Sequence, residues 1–169
     1  WKKETDGIVR RRQLALEQGG ADAIAKHHSK GRLTIRERID KLLDPGSLEE
    51  VGPMAGTAIH NEDGDLIDFD PANFVLGFGK VEGRRIIIGG EDFTMRGGSP
   101  SPAGLRKSVY AEELAVQYKL PLVRLHEGSG GSVGGTDGKG ASLPGPVNAP
   151  ARFQSVAQAM ATVPVAPAA

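Results

Sequence analysis

Three isoleucines in a row, Ile86–Ile88, stand between Arg84-Arg85 and Gly89-Gly90. A strand with one wet side alternates apolar with polar residues, so an unbroken apolar run fenced by charge and glycine reads as a strand covered on both faces. It belongs in the middle of a sheet, and the residues after it supply the covers. A loop, Gly97-Gly98-Ser99-Pro100-Ser101-Pro102, leads to an amphipathic helix over 103–118 with Leu105, Val109, Leu114 and Tyr118 on one face. A second buried strand runs from Pro121 to Glu127. A glycine-rich loop then spans 128–148, followed by a helix over 150–161 with Phe153, Val156 and Met160 inward, and an apolar run at 163–169 that reads as a third strand. Strand, loop and helix repeated in this order give an α/β fold with parallel strands and right-handed crossovers. Both glycine-rich loops then leave the carboxyl ends of adjacent strands, the edge where open α/β sheets place ligands.

Upstream, residues 2–18 read as a surface helix stopped by Gly19-Gly20, and 21–28 as a short continuation. Thr34 and Glu37 have capping-box spacing ahead of the stripe Ile35, Ile39, Leu42, Leu43, which ends at Asp44-Pro45-Gly46. Short apolar runs at 48–59, 73–81 and 84–90 read as strands, with 61–68 a polar connection and Glu82-Gly83 a turn. No internal repeat is found.

A chain of 169 residues with 38% hydrophobic content can bury the core of one ordinary domain. Lys plus Arg equals Asp plus Glu at 21 each, so no general attraction toward nucleic acid or an anionic membrane is expected, and a basic site must be local. The lack of cysteine removes a disulfide framework, a thiolate zinc site and a Cys nucleophile, and fits the cytoplasm or a mitochondrial matrix. No apolar run approaches the ~20 residues that span a bilayer, so a soluble protein is expected. The 24 glycines, about twice the ~7% average share, gather around Gly97 and Gly130, which suggests backbone brought close to a ligand.

Several familiar motifs fail on spacing. Gly77-Phe78-Gly79 has Glu82 where a dinucleotide fingerprint needs glycine, and Gly138-Lys139 has Val133 and Gly140 where a P-loop needs Gly and Ser or Thr. The acidic group Glu62, Asp63, Asp65, Asp68, Asp70 lacks calcium-loop order and reads as a solvated hairpin. His27, His28 and His60 read as surface groups, and no metal is expected. Gly130-Gly131-Ser132-Val133-Gly134 does fit the G-x-S-x-G nucleophile elbow. Ser132, however, lies several residues past the strand and is followed by more glycine-rich loop, where nothing holds it against a base and oxyanion donors. A serine hydrolase using Ser132 is therefore the alternative reading.

Three blocks carry a family resemblance. The stretch from Gly19-Gly20 through His27–Lys30, Gly31-Arg32-Leu33-Thr34-Ile35-Arg36-Glu37-Arg38-Ile39 and Leu42-Leu43-Asp44-Pro45-Gly46-Ser47 resembles the opening segment of the carboxyltransferase (beta) subunits of biotin-dependent acyl-CoA carboxylases, of the propionyl-CoA and methylcrotonyl-CoA type. Asp92-Phe93-Thr94, Gly97-Gly98-Ser99 and Lys107 match that family's D-F-T-x-x-G-G-S loop and the helical lysine after it. Gly128-Ser129-Gly130-Gly131-Ser132 keeps the Ser-Gly-Gly core of a D-S-G-G-A-R-like phrase but not its Asp or its Ala-Arg, a departure that bears on acyl-chain preference.

The resemblance covers about residues 7–169 and implies a crotonase-like (ClpP/crotonase) fold. It divides the chain into a helical arm, 1–47, and an incomplete first carboxyltransferase domain, 48–169, with the rest of the catalytic fold and the biotin-receiving domain expected beyond Ala169. The implied reaction moves a carboxyl group from carboxybiotin to the α- or vinylogous carbon of an acyl-CoA. Biotin itself is the implied base, so no carboxylate or histidine is assigned that role. Backbone amides can stabilise the enolate oxygen, and glycine lets main chain approach closely. Gly97, Gly98, Ser99 and Ser132 are thus expected to line the acyl-CoA pocket, with Gly130 and Gly131 as oxyanion donors. Lys107 and Arg96 are expected at the CoA phosphates, beside Arg106. The implied partners are a biotin carboxylase subunit, a biotin carboxyl carrier and further copies of the chain in a dimer-built hexamer. Pro102 and Lys107 lean toward methylcrotonyl-type relatives. A non-catalytic crotonase-type CoA-binding protein is a further alternative.

Overall fold

The computed structural model describes residues 1–128 and 148–168, with only the backbone of 148–153. Three helices come first: α1 (Lys2–Leu16), α2 (Ala21–His28) and α3 (Ile35–Leu42). The strands β1 (Glu49–Glu50), β2 (Gly56–His60), β3 (Leu66–Pro71), β4 (Phe74–Val81) and β5 (Arg84–Glu91) follow. Then come α4 (Pro102–Tyr118), β6 (Leu122–Leu125), α5 (Asn148–Thr162) and β7 (Val165–Ala168).

One sheet has the order β1-β4-β5-β6-β7, and β2-β3 form a separate hairpin. The isoleucine strand β5 is central, as its pattern demands. Side chains alternate across a strand, so Ile87 joins Phe74, Leu76 and Leu122 under α4 and α5, while Ile86 and Ile88 join Ile35, Ile39 and Leu43 of the α3 layer. Each such burial is worth about 1.5–3 kcal/mol against exposure.

The sheet is mixed. β5, β6 and β7 are parallel, but β1, β4 and β5 pair antiparallel. The cause is the tight turn Glu82-Gly83, both residues at positive φ (50° and 76°), which only joins antiparallel neighbours. The Asp44 carboxylate accepts from both turn amides, at 2.9 and 2.8 Å, and so fastens the hairpin to the end of α3. The run 48–59 is two strands rather than one, and the polar connection yields to β3 from Leu66 onward.

Helix α3 carries its capping box: Glu37 N–H donates to Thr34 Oγ1 at 3.4 Å, and Thr34 N–H donates to Glu37 Oε2 at 2.7 Å. The inward face of α4 differs from the expected one. Gly104, Lys107, Ser108, Ala111, Glu112, Leu114 and Ala115 are buried, whereas Tyr118 is exposed and Leu105 and Val109 are half-buried. Of the expected stripe Leu114 is fully inward, while the rest of the buried face consists of small residues that seat the helix closely and charges paired beneath it. On α5, Ala159 faces the core and Met160 is exposed, since the close α4 packing favours the smaller side chain. Among the described residues no helix is long and apolar enough to cross a membrane.

Candidate functional site

Parallel pairing sets Gly89 opposite Arg124 and Gly90 opposite Leu125, so β5 and β6 deliver their following residues to one edge. After β5 the chain turns at once. Buried Asp92 accepts from Thr94 N–H at 2.9 Å and from its hydroxyl at 2.5 Å, and burial pushes its carboxyl above the usual range. Asn73, 1% exposed, fixes the far end of the turn: its Nδ2 donates to the Ser99 carbonyl at 2.6 Å and its Oδ1 accepts from Ser101 N–H at 2.9 Å. Ser101 then caps α4 by accepting from Gly104 N–H at 3.0 Å. A Cβ on Gly104 would lie 2.4 Å from Asn73 Oδ1, so glycine there lets the helix start against the asparagine.

Gly98 has φ +75°, and a Cβ on it would lie 2.2 Å from the Glu127 carbonyl. The turn after β5 thus rests on the chain leaving β6, a contact glycine permits on both counts. Beside it opens a cavity of about 350 Å³ bordered by Phe74, Glu91, Gly98, Ser108, His126 and Gly128 among others. A groove of about 700 Å³ adjoins it, sharing His126, Glu127 and Gly128 and carrying Arg32, Arg38 and Phe93.

Beneath the cavity lies a buried ion cluster. Arg124, 4% exposed, donates from Nη1 to Glu112 at 2.9 Å and from Nη2 to Glu91 Oε1 and Ser108 Oγ at 3.1 Å each, and its guanidinium lies 5.0 Å from the Phe74 ring centre. The Ser155 hydroxyl donates to the other oxygen of Glu112. A second cluster steadies the rim, where Glu127 lies 3.5 Å from His27 and 3.7 Å from both Arg32 and Arg38. His27 is therefore not a surface group: it is 4% exposed, within 3.2 Å of the Leu33 carbonyl and stacked near Phe93. Its neighbours are distant in sequence (Phe93, Glu127), which hides this from local reading. His28 bonds Glu37 at 2.9 Å and, with His60, stays at the surface.

Of the sequence-derived candidates, Gly98 lines the cavity and Gly97 and Ser99 flank it in the same turn. Gly98 and Ser99 spend their amides inside that turn, on the carbonyls of Met95 (3.0 Å) and Arg96 (3.1 Å). Their contribution is shape. Arg96 is exposed, with a 2.8 Å ion pair to Asp70. Lys107 turns inward under β1, donating to the Gly52 carbonyl at 3.1 Å and lying 3.9 Å from Glu50, and burial pulls its pKa down to about 8. Gly130, Gly131 and Ser132 lie outside the described residues. Sequence reasoning missed Asn73, Glu91, Arg124 and His126. The available signal was Arg124, a lone charge inside the buried run Leu122–Leu125. Among the described residues no group of His, Asp or Glu is placed to hold a metal ion.

Comparison with known proteins identifies the family and the fold. Residues 26–143 match the family model described as the carboxyl transferase domain. The chain is 36% identical over 126 residues to the propionyl-CoA carboxylase beta chain of Saccharopolyspora erythraea, covering 75% of this chain and 23% of that one. It is 36% identical over 118 residues to the biotin-dependent 3-methylcrotonyl-coenzyme A carboxylase beta1 subunit of Mycobacterium tuberculosis, covering 69% and 21%. A solved single-chain, multi-domain long-chain acyl-CoA carboxylase superposes on 97% of this chain and 17% of its own, with a TM-score of 0.72 at 28% identity. The fold is accordingly the crotonase-like one of carboxyltransferase domains. The chain spans less than a quarter of the length of these two curated relatives.

Proposed function

This chain belongs to the carboxyl transferase domain family, and on that premise we propose that it is part of the carboxyltransferase component of a biotin-dependent acyl-CoA carboxylase. The reaction moves a carboxyl group from carboxybiotin to the α- or vinylogous carbon of an acyl-CoA. The observation that carries this reading is the seating of Gly98 on the Glu127 carbonyl. It brings the turn after β5 against the chain leaving β6 at the carboxyl edge of parallel strands, beside the cavity.

In this reading the acyl thioester rests against Gly98 and Gly128, with Gly97 and Ser99 holding the turn and Phe74 below. The enolate oxygen is met by main-chain amides of the Gly130-Gly131 stretch, since those of Gly98 and Ser99 are already engaged. The CoA phosphates meet cations at the rim. Arg32 and Arg38 in the adjoining groove suit that task, with Arg96 at the surface, while Lys107 supports the inner side of α4. Carboxybiotin is a reactant brought by a carrier, and no residue of this chain is assigned to hold it. A biotin carboxylase, a biotin carboxyl carrier and further copies of the chain complete the assembly.

The test is a carboxylation assay of the full-length protein with a biotin carboxylase, a carrier, ATP and bicarbonate across acetyl-, propionyl-, methylcrotonyl- and longer acyl-CoA. Carboxylated thioester is expected from at least one member of the panel. Failure of every thioester both to react and to bind, measured by calorimetry, overturns the reading.

A further inference from the structure

His27 is the one buried histidine among the described residues, and the reading above gives it no task. It stands in the last turn of α2, a helix of eight residues that is too short to persist without outside contacts. The groups that bury it come from both segments bordering the cavity. Its Nε2 lies 3.2 Å from the Leu33 carbonyl and 3.5 Å from Glu127 Oε1. A carbonyl only accepts, so Nε2 carries a hydrogen that two acceptors share. Its ring packs on Phe93 with centroids 5.4 Å apart, and the Arg32 guanidinium covers the same Phe93 ring at 5.5 Å.

Phe93 belongs to the turn after β5 and Glu127 to the chain leaving β6. These two segments meet where Gly98 rests on the Glu127 carbonyl, the contact beside which the cavity opens. His27 holds both from behind, Phe93 by its ring and the Glu127 carboxylate by its N–H. Two further bonds act in the same sense: Gly19 N–H donates to Thr94 Oγ1 at 3.0 Å, and Arg38 Nη1 donates to the His126 carbonyl at 3.4 Å. An apolar side chain of similar size would fill the space against Phe93 without the cost of burying a polar ring. What the imidazole adds is a directed donor.

We propose that His27 is a positioning residue of the thioester site, bracing the turn after β5 against the chain leaving β6 so that the cavity keeps its shape, an inference that rests on the acyl-CoA reading above. His27 lines neither the cavity nor the adjoining groove, so it acts through Phe93 and Glu127 without touching substrate. It also stands outside the apolar contacts by which α3 covers the sheet. Its loss should therefore loosen the rim of the site beyond any effect on stability.

Two substitutions separate the ring from the donor. His27→Phe keeps an aromatic ring against Phe93 but offers no N–H to Leu33 or Glu127. His27→Gln gives up the ring and sets an amide N–H near the place of Nε2. Hydrogen exchange of the full-length protein, read by mass spectrometry, and calorimetry with the acyl-CoA panel above report the result. His27→Phe should speed exchange of the Gly98 and Ser99 amides, which are held on the Met95 and Arg96 carbonyls, by about fivefold, the worth of one hydrogen bond. Thioester binding at equal folded fraction should weaken by about the same factor. His27→Gln should stay within about twofold of wild type in both. Ile39→Ala is the control, losing stability with neither change. Wild-type affinity in His27→Phe, a loss in His27→Gln equal to that in His27→Phe, or an equal loss in Ile39→Ala overturns the brace and leaves the acyl-CoA reading standing. Absence of binding of every thioester to the wild type overturns both. Should His27→Phe fail to fold, Glu127→Ala, at the accepting end of the same contact, must speed the Gly98 and Ser99 amides, and wild-type exchange there overturns the brace.

Discussion

Helices α3 and α4 cover opposite faces of the same sheet and do so by different means. α3 buries Ile35 and Ile39 and, with Leu43, meets Val75, Ile86, Ile88 and Leu125. α4 buries Ala111, Leu114 and Ala115 against Leu76 and Ile87, but also Lys107, Ser108 and Glu112, with Arg124 rising to meet them from β6. The first face holds the molecule together by removing apolar surface from water. The second yields part of that gain to fix charged groups under the carboxyl edge of β5 and β6, where the cavity lies. Stability and positioning are thus divided between the two sides.

The largest effect expected from breaking that division is at Arg124. Arg124→Ala leaves Glu91 and Glu112 buried without their cation, which should cost about 3–5 kcal/mol, read from the denaturant midpoint. Replacing Arg124, Glu112 and Glu91 together by Met, Leu and Gln should recover most of the lost stability, since buried ion pairs are often matched by apolar packing. A cost for Arg124→Ala no larger than a surface substitution would remove the cluster from the architecture. On the other face, Ile39→Ala should cost about 2–4 kcal/mol by burial and cavity formation. Thioester affinity of the folded fraction should not change, and a matching loss of affinity would show that the faces are not separate.

Lys107 sharpens the contrast through pH. Its folded pKa is held near 8, below its ordinary 10.5, chiefly by burial. A depressed lysine destabilises the fold in full below about pH 8, and the cost is relieved as pH rises to 10.5, where the unfolded chain also loses its proton. Stability from this group therefore increases across that window. At about 1.4 kcal/mol per unit, less ~1 kcal/mol for the bond to Gly52, Lys107→Met should gain about 2 kcal/mol at pH 7. Glu50 keeps its two bonds to Arg36, at 2.9 and 3.1 Å, so the substitution leaves no orphaned carboxylate. Denaturant midpoints from pH 7 to 11 check both the gain and the flattened slope.

The same division explains what the sequence made legible. The α3 face follows hydrophobic periodicity, so the cap at Thr34, the stripe through Ile39 and the central strand at Ile86–Ile88 were all readable. The α4 face was not, because apart from Leu114 its buried positions are glycine, alanine, serine and paired charges, which a search for apolar stripes assigns to solvent. Leu105 and Tyr118 drew the stripe instead, and Tyr118 is exposed. At the site, glycine marked the turn after β5, but that Gly98 bears on Glu127 depends on a contact between residues far apart in the chain. His27 was misassigned for the same reason, since the groups that bury it arrive from 93 and 127. Glu91 and His126 become neighbours only through parallel pairing of β5 with β6, whose register is not written in either segment.

The smallest expected effect compares the two helix caps directly. α3 has eight residues, too few to persist without help, so its capping box and its apolar face must act together. Thr34→Ala should cost about 1 kcal/mol and leave thioester affinity alone, and Thr34→Ser should restore most of it. Ser101→Ala removes the equivalent cap from α4, with a similar loss of about 1 kcal/mol. Ser101, however, also donates its main-chain N–H to Asn73 Oδ1 at 2.9 Å, in the frame that holds Ser99 and the Gly98 turn. Ala keeps that amide, but losing the hydroxyl cap loosens the first turn of α4 against Asn73, and thioester binding should weaken as well, measured by calorimetry on both variants at equal folded fraction. Equal affinity in the two would mean that the α4 cap serves stability alone, and that positioning begins only at the ion cluster beneath the cavity.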